Sequence, residues 1–195
     1  MNENITAVIL CGGKAQRMNG ADKGLQLLMQ KPLYQWVYQA IAPQVSEVII
    51  NANRSIEQYA KSQLPVITDQ LTGFLGPLSG MLTGLQHAKS DWVLFVPCDT
   101  PYLPVNLVEK LAAARLTNTQ VVYATDGKRE HPTCCLLHRS LIPALSTYLQ
   151  QGHRRVLGFL QQQAYQTANF ADQKNSFINI NSVDELNFYC NKKEK

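Results

Sequence analysis

Several residues in this chain have the types and spacing that suit phosphate chemistry. A short apolar run, Ile5 and Ala7 to Leu10, stops at Gly12-Gly13, and Arg17 and Lys23 follow. Paired glycines let the backbone turn tightly and come close to a ligand. Exposed N–H groups followed by an arginine and a lysine would suit a polyphosphate. A second apolar run leads into Pro97-Cys98-Asp99-Thr100-Pro101. A carboxylate placed like Asp99 can hold Mg²⁺, which takes one or two carboxylates together with substrate phosphates and waters. An aspartate capping the next helix would give the same string. Asn51 and Asp69 end two further runs. They read either as turn residues or as hydrogen-bonding partners for a ribose or base.

These residues need a scaffold that brings them together. Apolar runs predict strands over 5–10, 47–51, 65–67, 92–96, 121–124 and 132–137, and alternation predicts another over 177–181. Helical spacing predicts helices from 33 to 41, ended by Pro43, and over 56–63, 78–88, 103–114, 141–151 and 156–163. Residues 30–32 read as a turn and 73–77 as a loop, with Gly80 and Gly84 on a closely packed or ligand-facing side of the helix after it. Ser182 with Glu185 three residues on predicts a capping box for a last helix. Strands alternate with helices over the first 115 residues, which predicts βαβ units. The expected fold class is α/β, a three-layer fold with a mostly parallel sheet and helices on both faces. In such a sheet the strand ends at Leu10–Gly13, Asn51, Asp69 and Asp99 share one edge, where ligands bind. No repeat or linker interrupts the chain, so residues 1–195 read as one domain. Within it, residues 1–115 are expected to form a nucleotide-binding half and 116–195 mainly a cofactor-substrate half, a division that rests on the family resemblance given below.

Composition narrows the function. The 195 residues are 45% apolar with a net charge of +4, ordinary for a globular protein. The charge is too mild and scattered for a nucleic-acid binder. The five cysteines, Cys11, Cys98, Cys134, Cys135 and Cys190, include no C-x-x-C. They read as free thiols in a reducing cytoplasm, without the ligand spacing of a zinc site. No signal peptide or membrane span is expected. The glycine loop lacks the G-x-G-x-x-G pattern of dinucleotide folds and the G-K-[ST] of a Walker loop. His131, in Glu130-His131-Pro132-Thr133, reads as structural, and no arrangement for a covalent nucleophile is legible.

The loop resembles the L-x-G-G-x-x-x-R-M…K signature of nucleotidyltransferases, at Leu10, Gly12, Gly13, Arg17, Met18 and Lys23. Beyond the loop, the chain is similar to the bacterial molybdenum cofactor guanylyltransferases. The matching pieces are LCGGKAQRMNGADKG at 10–24, KPL at 31–33, NANR at 51–54, Asp69 and GPLSGM at 76–81. They continue with PCDTPY at 97–102, DGKREHPT at 126–133, RRV at 154–156 and FININ at 177–181. These pieces are collinear and span nearly the whole chain. Cys11 departs from the family, which more often has Ala there.

The resemblance implies a Rossmann-like nucleotidyltransferase fold and GMP transfer from GTP to a molybdopterin-type cofactor, releasing pyrophosphate. It implies GTP contacts at Leu10, Cys11, Gly12, Gly13, Lys23, Asn51, Asp69 and Asp99, with Mg²⁺ on Asp99. Arg17, Lys23 and Asp99 carry the catalysis, and Arg155, Asn179 and Asn181 fall on the pterin side. GTP and the molybdenum cofactor are then the partners. Which molybdoenzyme chaperones or other cofactor-synthesis proteins receive the product stays open. So do three alternatives: a cytidylyltransferase acting on the same pterin, a sugar-phosphate nucleotidyltransferase, and a non-catalytic nucleotide or cofactor binder.

Overall fold

The computed structural model describes residues 4–12, 22–71 and 76–191. Seven strands form one sheet in the order β5-β4-β1-β6-β8-β7-β9. They are β1 (Ile5–Leu10), β4 (Glu47–Asn51), β5 (Val66–Ile67), β6 (Trp92–Pro97), β7 (Val121–Thr125), β8 (Glu130–His138) and β9 (Tyr165–Asn169). Only β8 among them runs against the others, as its antiparallel pairing to both β6 and β7 shows. The other neighbours are parallel. Two further short strands, β2 (Leu27–Leu28) and β3 (Lys31–Pro32), make a separate hairpin.

The apolar runs become central strands because both of their faces are covered. Ile5, Ala7 and Ile9 of β1 enter one cluster with Val37 and Ile41 of α1 (Leu33–Ile41) and Leu107 and Leu111 of α4 (Leu107–Ala113). Val8 and Leu10 face the opposite way. They pack with α3 (Pro77–His87), α5 (Ile142–Gln150) and α6 (Val156–Leu160). This is the expected three-layer arrangement. α2 (Ile56–Ala60) follows β4, and α7 (Val183–Asn191) ends the described chain. A third apolar group joins Leu28 and Leu33 to Ile180 and Leu186, so the C-terminal segment packs on the hairpin and α1.

Four expectations are corrected. The turn sits at Met29–Gln30, not at residues 30–32. Both Met29 and Gln30 have positive φ (49° and 62°), and Lys31–Pro32 is the returning strand. α4 starts at Leu107 rather than 103, because residues 101–106 contain Pro104 and form turns that hold the buried Leu103. β9 was not anticipated. It is an edge strand with the polar sequence YQTAN, paired only to β7, so it lacks the apolar alternation of a half-buried strand. Finally, residues 177–181 do not join the sheet. Ala171–Phe177 is a run of 3-10 turns, and irregular backbone follows it to the start of α7. The capping box is partly as expected: the Glu185 N–H donates to Ser182 Oγ at 3.1 Å, but the Glu185 carboxylate accepts from the Asn181 N–H instead of that of Ser182.

Gly80 and Gly84 let α3 lie close on the sheet. A Cβ at 84 would stand 2.7 Å from Phe95 Cε1 and 3.0 Å from Val8 Cγ2, both in fully buried residues. Gly84→Val should therefore overpack the core and lower unfolding stability by about 1–3 kcal/mol. Urea unfolding of the purified variant checks this, and an unchanged midpoint would contradict the close packing.

Candidate functional site

The parallel register sets the strand ends side by side. Leu10 pairs with both Asn51 and Pro97, and Asn51 pairs with Ile67. The chain ends of β1, β4, β5 and β6 thus release Cys11–Gly12, Asn51–Asn53, Asp69 and Asp99 at one edge. Leu10 and Cys11 are buried backbone carriers of that edge. Cys11 N–H donates to Asn51 C=O at 2.8 Å, and Cys98 N–H to Leu10 C=O at 3.1 Å. Gly13 and Arg17 lie outside the described residues.

On one side of the edge, three residues form a closed amide–carboxylate network. Asn51 Nδ2 donates to Asp69 Oδ1 at 2.8 Å, and Asn53 Nδ2 donates to Asp69 Oδ2 at 2.9 Å. The Asp69 backbone N–H donates back to Asn53 Oδ1 at 2.8 Å. Asn51 is buried, and Gly80 approaches it so closely that a Cβ there would meet Asn51 Oδ1 at 2.2 Å. Each Asp69 oxygen keeps a further lone pair, so the half-buried carboxylate can accept hydrogen bonds from a ligand. Asn53 was missed in the sequence. Its signal was the N-x-N spacing around the buried Ala52, which puts both amides on one side.

At β6, Asp99 is buried and ion-paired to Lys23. Lys23 Nζ also donates to Asn181 Oδ1 at 2.6 Å. Thr100 Oγ1 is within 2.9 Å of Asn179 Oδ1 and 3.4 Å of Asp99 Oδ1. The Ile180 N–H donates to the Asp99 carbonyl at 2.9 Å. The segment 177–181 is therefore a strap laid over the end of β6. Asn179 and Asn181 point their amides into the same cluster as Lys23 and Asp99. Arg155 is not brought there: it is exposed at the start of α6, on the other face of the sheet. Thr100 was also missed, because a threonine after Asp reads as an ordinary turn residue.

A second polar pair anchors the far end of the strap. Asp126 Oδ2 lies 3.1 Å from His131 Nε2, and the His131 ring stacks on Phe177 with centroids 4.6 Å apart. Backbone N–H groups of Arg129 and Lys128 donate to Asp126 Oδ1 at 2.7 and 2.8 Å. With His131, these bonds hold the Asp126 carboxyl at about 2 instead of 3.8. The thiols are packing residues. All five cysteines are free. Burial and the charge of Asp99 push Cys134 upward, and a hydrogen bond with Cys11 followed by burial does the same for Cys98. No helix among the described residues is long and apolar enough to cross a membrane.

A lysine–carboxylate pair and an amide–carboxylate network thus lie at the carboxyl edge of a mostly parallel α/β sheet, the edge at which such sheets bind ligands. The chain belongs to the MobA-like NTP transferase family, whose domain model matches residues 7–166. Within that family it belongs with the molybdenum cofactor guanylyltransferases. It is 51% identical to the one from Pasteurella multocida, over 95% of this chain and 99% of that protein. It is 46% identical to the Haemophilus influenzae protein of the same name, over 95% and 97%. Among solved structures, its fold matches molybdopterin-guanine dinucleotide biosynthesis protein A from Archaeoglobus fulgidus, with a TM-score of 0.79, 20% identity and coverage of 97% and 98%. It also matches 4-diphosphocytidyl-2C-methyl-D-erythritol synthase from Anaerococcus prevotii, with a TM-score of 0.76, 13% identity and coverage of 100% and 97%.

The Asp126 pair gives a pH prediction. A carboxyl whose folded value is depressed contributes stability above its unfolded value, and that stability is lost as pH falls through the folded one. Asp126 should thus stay ionised down to about pH 2, and its contribution should fade between 3.8 and about 2. Carboxyl-carbon NMR titration checks the midpoint; one near 3.8 would contradict the turn geometry.

Proposed function

We propose that the chain transfers GMP from GTP to the terminal phosphate of a molybdopterin-type cofactor, releasing pyrophosphate and forming the guanine dinucleotide cofactor. The observation that carries this reading is the Lys23–Asp99 pair at the carboxyl edge of the sheet, beside the Asn179–Asn181 strap. Residues 1–115 supply the nucleotide side and 116–195 mainly the pterin side. The Asn51–Asp69 network hydrogen-bonds to the ribose or base, and Leu10, Cys11, Gly12 and Gly13 present backbone to the nucleotide. Lys23 and Arg17 neutralise the phosphates. Asn179 and Asn181 face the pterin substrate from the strap, and Arg155, on the other face of the sheet, is left without a role in this reading.

Asp99 fits a divalent ion. It is a hard oxygen donor oriented by Thr100. Among the described residues no group of three or more His, Cys, Asp or Glu could hold a metal alone. That donor set suits Mg²⁺ shared with substrate phosphates rather than a dedicated protein cage. When bound, the ion supplies charge neutralisation at the triphosphate. The chain's own residues then align two reactants. An oxygen of the pterin phosphate bonds to the α-phosphorus as the bond from that phosphorus to the bridging oxygen of pyrophosphate breaks. The attacking oxygen is already ionised, so no protein base is required, and positioning with charge neutralisation provides the acceleration. The free, buried thiols agree with a reducing cytoplasm as the working compartment.

The test is pyrophosphate release with GTP, CTP or ATP, each with and without a molybdopterin source and Mg²⁺. Release from GTP that needs both additions is the expected result. Release with CTP alone would move the assignment to a cytidylyl transfer, and tight GTP binding without release would favour a carrier. Asp99→Ala should keep the circular dichroism spectrum and lose about 10²-fold or more of the rate. A folded variant with near-normal activity would overturn the role of Asp99.

A further inference from the structure

Lys23 can act on phosphates only if its backbone is held in place, because a lysine side chain is a flexible four-carbon stem. The residues on either side of it are clamped. Asp22 is almost fully enclosed, with its side chain 5% exposed. Its Oδ1 accepts the Tyr59 hydroxyl at 2.6 Å and the Gly24 N–H at 3.2 Å. Its Oδ2 lies 3.5 Å from Arg54 Nε, an ion pair rather than an aligned hydrogen bond. Tyr59 is fully buried on α2, and its ring packs edge-on against Tyr34 of α1 with centroids 5.2 Å apart. Gly24 closes the clamp. A Cβ there would stand 2.4 Å from Tyr59 Oη and 3.3 Å from Cys98 Sγ.

Arg54 and Tyr59 come from one short stretch after β4. Ser55 between them has φ of 53°, so the chain turns sharply and α2 carries Tyr59 back to the loop. Burial first, then the neighbouring Cys11 and Cys98 thiols and Asp22, push the Tyr59 hydroxyl far above its ordinary value, so it remains a donor. A buried carboxylate needs such partners. Apolar residues of the same volume would often hold a fold as well or better. Here the carboxylate stands one residue before the lysine that meets Asp99.

We infer that Tyr59 and Arg54 are positioning residues that act through Asp22 to fix the backbone of Lys23, and with it the ammonium group, at the nucleotide phosphates. The inference rests on the proposed GTP site. It makes α2, which touches no substrate in this reading, part of the nucleotide machinery.

A double-mutant cycle read in the GTP dissociation constant tests it, using displacement of a fluorescent GTP analogue in Mg²⁺ buffer. The proteins are the wild type, Tyr59→Phe, Lys23→Ala and the double variant. Tyr59→Phe keeps the ring and removes the hydroxyl. It should weaken GTP about tenfold in the wild-type background and change it by less than about twofold in the Lys23→Ala background. A merely structural role would give the same loss in both backgrounds, and that result, or no loss in either, would overturn the inference. Arg54→Lys run through the same cycle supplies an independent reading if Tyr59→Phe does not fold. Absence of GTP binding by the wild type would contradict the proposed function itself. Wild-type binding with parallel losses would overturn only the role of Tyr59 and Arg54.

Discussion

The contact between Lys23 and Asp99 ties the loop after β1 to the end of β6 across 76 residues of sequence. Neither charge is fully solvated, so each needs the other, and breaking such a pair from one side leaves an uncompensated charge. The surroundings are arranged around it. Asn181 takes another lysine hydrogen, Thr100 faces the carboxylate, and Ile180 bonds the Asp99 carbonyl. Without substrate, the two groups neutralise one another. Under the proposed function, a phosphate of the nucleoside triphosphate would take the ammonium and a divalent ion the carboxylate. The pair holds both groups together at the carboxyl edge of the sheet.

The sheet makes that contact possible. Parallel strands deliver their C-terminal ends to one edge, and the register Leu10–Asn51 and Leu10–Pro97 places polar residues from separate segments within reach. The reversed strand β8 lets the second half of the chain continue the same sheet. The strap at 177–181 then crosses back. It is held at one end by the His131–Phe177 stack and at the other by Asp99 and Lys23. Both halves of the chain thus contribute to a single cluster, as a reaction between two bound substrates requires.

Much of this was legible from residue types. β1 and β6 are buried on both faces, so their apolar runs read directly as strands, and the edge rule then lined up Asn51, Asp69 and Asp99. The rest depends on tertiary context. The FININ alternation is one of residue type and not of burial: Phe177 and Ile180, three residues apart, are buried, while Asn179 and Asn181 are exposed, so Phe177 does not share the buried side of a period-two strand. β9 carries too few apolar residues to announce itself. Pro104 and the turns around it delay α4, and helical spacing alone does not show that. Tyr59 looks like an ordinary core residue of a short helix. Its hydroxyl gains meaning only because Ser55 turns α2 back toward Asp22.

The most direct test of the account is a crystal structure of the chain with a non-hydrolysable GTP analogue and Mg²⁺. It should show the nucleotide at the carboxyl edge of the sheet, Lys23 on its phosphates and the Lys23–Asp99 contact opened. A nucleotide bound elsewhere, or Lys23 still closed on Asp99 beside it, would contradict the account.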